Sequence, residues 1–164
     1  MADSTTKYQK LVNNGFLFRF YLLKSLPLAF LAGIRVQRLD QEQGVTTVKY
    51  KWMTQNPFRS MYFACMAMAA EMSTGLLVMN EIFESKPSVS MLVIGNQATF
   101  HKKAVGEITF TCADGKLVSQ IITKAKQSQE ATVFDLRSVG RNESGEKVAE
   151  FLFSWSVKAK SNKI

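Results

Sequence analysis

The chain has 164 residues, 46% of them hydrophobic and 21% charged, enough for one domain whose core needs neither disulfide nor metal and too apolar for a disordered chain. Its formal charge of +8 is uneven, with six Lys/Arg against two acids in residues 1–40 and five against two in residues 101–128, so the basic stretches are either solvated faces or contacts for phosphate-bearing partners. A nucleic-acid partner is disfavoured, because neither a recognition motif nor an aromatic-basic repeat is present.

The start, MADSTT, carries an acid where a signal peptide carries basic residues, and Arg19, Lys24 and Pro27 interrupt the apolar stretch behind it; a cytoplasmic location is the expectation. Lys7 to Leu26 places Leu11, Val12, Phe16, Phe20 and Leu23 at helical steps, and Pro27 ends the helix. The stripe packs on the core or as a lid, or, with Lys7, Lys10, Arg19 and Lys24 beside it, touches a membrane surface. Phe16, Phe18, Phe20, Tyr21 and Phe30 either line an acyl tunnel or fill the core. Ile34 to Leu39 reads as a short strand and Gln41 to Gly44 as a turn. Val45 to Met53 alternates, with Val48, Tyr50 and Trp52 on one face and Thr47, Lys49 and Lys51 on the other, as a strand with one wet side does.

Ser60 to Asn80 is rich in Met and Ala and carries a single charge, Glu71. The stretch predicts a helix buried on most sides; a membrane span is the poorer reading, because a mid-helix carboxylate is costly in lipid. After Pro87, Val89 to Phe100, Gly106 to Cys112, Thr132 to Val139 and Lys147 to Lys158 read as strands, with Gly106 and Asn142 to Gly145 as turns. Leu117 to Lys126 fits a 3.6 period and is taken as an inserted helix. Cys65 and Cys112 lack metal-ligand spacing and His101 is the single histidine; buried thiols and no metal are expected. No repeat, linker or low-complexity tract divides the chain, so residues 1–164 form one domain, with residues 1–33 a helical segment packed on it. A sheet that must cover one long apolar helix curves around it.

Glu71 is the most informative residue for chemistry. Burial without a partner raises a carboxyl pKa and makes it basic near neutrality, a candidate general base or nucleophile that would activate water or attack a thioester, whereas a structural glutamate would be hydrogen-bonded to a neighbouring Ser, Thr or Tyr. The run from Asn56-Pro57-Phe58-Arg59-Ser60-Met61-Tyr62-Phe63-Ala64 to Glu71 resembles the motif of the hotdog-fold acyl-CoA thioesterase superfamily: an Asn, a Gly three later, His-Gly-Gly, and an acid after a six-residue apolar run. Asn56 takes the Asn place, Arg59 the Gly, Tyr62 the His, Phe63 and Ala64 the two Gly, and Glu71 the acid. Phe100-His101-Lys102-Lys103-Ala104 with Gly106 resembles the family's Phe-x-Arg-Pro-Ala strand end. The fit is closest to an uncharacterised thioesterase-like branch.

The resemblance implies an α+β hotdog fold, a curved antiparallel sheet around a long central helix, here with an extra N-terminal helix. It implies hydrolysis of acyl thioesters at a site shared across a homodimer, or a dimer of dimers, with CoA part of the substrate and no cofactor, and no stable membrane insertion. The Phe63 and Ala64 amides would hold the oxyanion at the helix N-terminus. Glu71 lies eight residues beyond Phe63, about 12 Å along the axis, so the two functions would come from different subunits. Asn56 would orient water or the carbonyl, and Thr74 would steady Glu71. Tyr62 and Arg59 would line the substrate site, with Lys102 and Lys103 facing CoA phosphates. The departures favour a second reading, a non-catalytic acyl-CoA or fatty-acid binding protein: Phe63 and Ala64 crowd the amides, and Tyr62 cannot do imidazole chemistry. His101 reads as an anion contact or an exposed residue; a dehydratase base is the weaker alternative.

Overall fold

The structure, a computed structural model, describes residues 5–160; residues 1–4 of the MADSTT stretch and the last four of the expected domain lie outside the described residues. Where one N-terminal helix is expected, three form. α1 (Lys7–Asn13) opens with a capping box in which the Thr6 and Gln9 side chains each accept from the other's backbone amide. α2 (Gly15–Ser25) restarts at Asn14, whose side-chain oxygen accepts from the Leu17 amide at 3.2 Å. Pro27 ends α2 and also begins α3 (Pro27–Ala32), because a proline needs no amide partner in a first turn.

The break at Asn14 resets the helical phase. Val12 is buried, but Phe16, Phe20 and Leu23 are 72%, 58% and 50% exposed, and the residues that anchor α2 are Phe18 and Leu22. The single apolar stripe is thereby corrected: its second half faces outward. Of the other aromatics proposed for a tunnel or the core, Tyr21 is exposed and Phe30 half-buried.

β1 (Arg35–Leu39), β2 (Gly44–Lys49), β3 (Val89–Phe100), β4 (Glu107–Cys112), β5 (Thr132–Arg141) and β6 (Lys147–Ala159) form one antiparallel sheet in the order β1-β2-β4-β5-β6-β3. β2 stops four residues short of the expected Met53. The Thr54 hydroxyl accepts from the Lys51 amide at 2.9 Å and donates to the Lys49 carbonyl at 2.8 Å, curling Trp52–Thr54 into a 3-10 turn and leaving Trp52 exposed rather than in the core.

The long helix α4 (Phe63–Ile82) packs against β1, β2, β4, β5 and β6. Its length and composition would suit a membrane span, but 67% of its most apolar stretch is buried, as in the core helix of a sheet. Its first expected turn, Ser60 to Tyr62, belongs instead to the preceding loop. Polar pins fix its rotation: Thr46 Oγ1 donates to the Ala69 carbonyl at 2.7 Å, Ser73 Oγ meets Ser138 Oγ at 2.8 Å, and Trp155 Nε1 donates to Thr74 Oγ1 at 3.1 Å. At Gly44 the helix backbone comes so close that an added Cβ would lie 2.3 Å from the Ser73 carbonyl oxygen. α5 (Gly115–Ser128) is the inserted helix, seated on α4 and β6 through Val118, Ile122 and Ala125. Cys65 and Cys112 are both buried thiols, the latter pushed up to about 12 by burial. A single sheet holding one long helix is the hotdog plan.

Candidate functional site

The loop before α4 is organised by Asn56. Its Oδ1 accepts from the Phe58 amide at 2.9 Å and the Ser60 amide at 3.3 Å, while its Nδ2 donates to Ser60 Oγ at 3.0 Å and the Met61 carbonyl at 3.3 Å. These are the local bonds an Asn makes in a turn, so its polar atoms are engaged in shaping the loop. Within it Arg59 holds φ 58, the left-handed region that favours glycine, which is the residue the motif has at this place.

The loop delivers the chain to the start of α4. Tyr62 occupies the N-cap with no side-chain capping bond, and the Phe63 and Ala64 amides find no acceptor among the described residues. These orphan donors, with the positive end of the helix dipole, favour an anion or a developing oxyanion. The Met61 amide donates to the Ala104 carbonyl at 2.8 Å, which draws the segment after β3 alongside. A cleft of about 380 Å³ results, and Asn56, Tyr62, Phe63, Lys102 and Lys103 line it. Two motifs forty residues apart in the chain thus meet in one place; Arg59 is exposed on the same loop but does not line the cleft, and Ala64 is half-buried on the first helical turn.

Phe58, Met66 and Phe100 also line this cleft and were not among the sequence-derived candidates. Tyr62 and Phe63 lie 5.1 Å apart, Phe63 and Phe100 6.5 Å, and Phe100 and Phe151 5.7 Å, a run of rings from the surface to the core. The signal for Phe100 lay beside Lys102 in the same strand end. Lys102 is paired with Glu146, whose carboxyl that hydrogen bond holds below its usual range. Lys103 and His101 are exposed, and the His101 amide donates to the Val148 carbonyl at 2.8 Å.

Glu71 and Thr74 stand apart from the cleft, farther along α4. The Glu71 carboxylate lies over Gly75, where a Cβ would be 3.4 Å from its Oε1 and 3.3 Å from the Trp155 ring. No hydrogen bond or ion pair reaches that carboxylate among the described residues, and burial raises its pKa. Tyr8 of α1 is near enough that Glu71, after burial and Tyr21, raises its hydroxyl pKa. Thr74 donates to the Glu71 main-chain carbonyl at 2.8 Å and not to its carboxylate. The arrangement therefore has two chemical ends on one helix: free amides at its start and a basic carboxylate about two turns on.

Comparison with known proteins bears on the fold. A family model described as Domain of unknown function (DUF4442) matches residues 16–157. No functionally curated protein matches the chain. A Pseudomonas aeruginosa protein of unknown function, described as a probable thioesterase, superposes with a TM-score of 0.75 at 19% identity over 87% of this chain and 95% of its own. A protein of unknown function from Chlorobaculum tepidum gives 0.74 at 12% identity over 87% and 92%. A Pseudomonas aeruginosa thioesterase, in mutant form, gives 0.65 at 13% identity over 87% and 93%. At such identities the likeness is one of fold.

Proposed function

The chain belongs to the DUF4442 family and has the hotdog fold of thioesterase-like proteins, and from that premise we propose that it hydrolyses acyl thioesters, with acyl-CoA as substrate class, at a site shared across a homodimer in the cytoplasm. The observation that carries the proposal is the uncapped start of α4 opening into a cleft bordered by Tyr62, Phe63, Lys102 and Lys103. The thioester carbonyl sits against the Phe63 and Ala64 amides, where the charge on oxygen is stabilised as it develops. Glu71 takes a proton from water, whose oxygen attacks the carbonyl carbon. The C–S bond then breaks, and the thiolate recovers the proton from Glu71. CoA is part of the substrate, and no cofactor enters the scheme.

The rise of α4 separates the amides from Glu71 of the same chain by about 12 Å, so the carboxylate comes from the other subunit. β3 supplies the means of association: twelve residues long at the end of the sheet order, it leaves one edge free for a second β3. Lys102 and Lys103 meet the phosphates of CoA. A second reading, acyl-CoA or fatty-acid binding without turnover, is favoured by the Phe63 ring, 54% exposed beside the amides it would have to clear. Incubation with acyl-CoAs of several chain lengths separates the two. Release of free CoA thiol supports hydrolysis; saturable binding without release replaces it with the binding role.

A further inference from the structure

α2 is apolar on nearly every side, GFLFRFYLLKS, yet only Phe18 and Leu22 are buried. A helix hydrophobic all round is ordinarily enclosed, and nothing in the described chain encloses this one. Phe16, Phe20 and Leu23 share a face at helical spacing, with the Phe16 and Phe20 rings 5.0 Å apart. Leu26, Leu28 and Leu31 of the adjoining linker and α3 are 47%, 71% and 48% exposed. Apolar exposure concentrated in this way marks a surface that meets something.

Charge says what it meets. Residues 15–32, which make α2, the linker and α3, carry Arg19 and Lys24 and no acid, so two copies of this face brought together would oppose like charges. Between α2–α3 and the strands β1 and β2 a cleft of about 350 Å³ is lined by Arg19, Phe30, Leu31, Arg35, Lys49 and Lys51, with Glu107 its one acid. Glu107 is 3.4 Å from Lys49. Arg19 stacks at 4.0 Å on the Phe30 ring and donates to the Phe30 carbonyl at 3.4 Å, and Lys51 donates to the Leu31 carbonyl at 3.2 Å. Arg19 and Lys51 are thus held against α3, Lys49 is paired with Glu107, and Arg35 has no ion-pair partner among the described residues.

We propose that the α2–α3 face docks on anionic phospholipid bilayers, its phenylalanines and leucines entering the headgroup–acyl boundary and the Arg19, Arg35, Lys49 and Lys51 cleft taking a lipid phosphate. Shallow burial of apolar side chains together with attraction of basic residues to anionic lipid is the recognised physical basis of peripheral attachment. It is distinct from the thioester site, because neither the α4 cleft nor Glu71 takes part.

The test is co-sedimentation of the full chain with vesicles of phosphatidylcholine alone or mixed with phosphatidylglycerol, with light scattering in parallel. Binding to the mixed vesicles is expected. It should fall about tenfold or more in Phe16→Ser with Phe20→Ser, and likewise in Arg35→Ala with Lys49→Ala. These side chains are exposed, and an unchanged melting temperature certifies the fold. Absence of binding to the mixed vesicles, equal binding to both vesicle types, or variants that bind like the parent would each overturn the proposal. So would a halved particle mass in the Phe16→Ser, Phe20→Ser variant, which would make the face an interface between copies of the chain.

Discussion

Glu71 carries a penalty that depends on pH, and the dependence has a definite sign. Burial holds its folded-state pKa above the ordinary 4.5, so the folded protein keeps this proton to higher pH than the unfolded chain does. Stability is lost as pH rises from the ordinary glutamate value through the raised one, and the full penalty persists above that. Glu71→Gln keeps the shape and removes the charge. Its melting temperature should match the parent at acid pH and exceed it near neutrality, while thioester turnover falls about a hundredfold or more. Unfolding of the variant with unchanged turnover per folded molecule would remove Glu71 from the chemistry. Arg59 offers a second measurement, because φ 58 strains any residue with a Cβ by about 1 kcal/mol or more. Thermal melting of Arg59→Gly should show a rise of roughly 2 °C, and a fall would mean that the side chain makes a contribution outweighing the strain.

Elements here are held together by close backbone approach. β2 passes under α4 at Gly44, where a methyl would lie 2.3 Å from the Ser73 carbonyl oxygen and 3.6 Å from the Leu77 side chain. Neither backbone can yield without lifting the helix off the sheet and breaking the Ser73–Ser138 contact. Gly44→Ala should therefore lower stability by about 3 kcal/mol in denaturant titration. Gly15→Ala is the contrast, since open space surrounds that position and stability should hold or rise. Equal losses at the two sites would show that α4 does not rest on β2 as described.

For the molecule as a whole, β3 is the longer of the two outer strands and has one unpaired edge among the described residues, and a long exposed edge invites another strand. Edge-to-edge pairing predicts a dimer in gel filtration with light scattering, and a monodisperse monomer at micromolar concentration would remove both the dimer and the shared site. The cleft lysines make a separate prediction. Lys102→Glu with Lys103→Glu should weaken binding of CoA esters, and added salt should weaken binding to the parent protein, since exposed charges are screened over about 8 Å at physiological ionic strength. Affinity indifferent to salt would place the CoA phosphates elsewhere.

Much of this architecture is legible along the chain. The Met- and Ala-rich run of α4, the alternation of β6 and the 3.6 period of α5 are written in near neighbours, which is where helix and strand periods reside. The spacing from Phe63 to Glu71 alone sets the two chemical ends of α4 about two turns apart. Other features depended on contacts that periodicity does not carry. Asn14 could as well sit inside a continued helix as cap a new one, and only the burial of Phe18 and Leu22 in place of Phe16 and Phe20 decides the phase. Likewise β2 ends where Thr54 finds the Lys49 carbonyl, a choice the alternating Val48, Tyr50 and Trp52 conceal. The cleft exists because the Met61 amide reaches Ala104 and the His101 amide reaches Val148. Its members come from segments whose register is set by the sheet between them, so the residue types could be named from sequence while their meeting was decided by tertiary pairing.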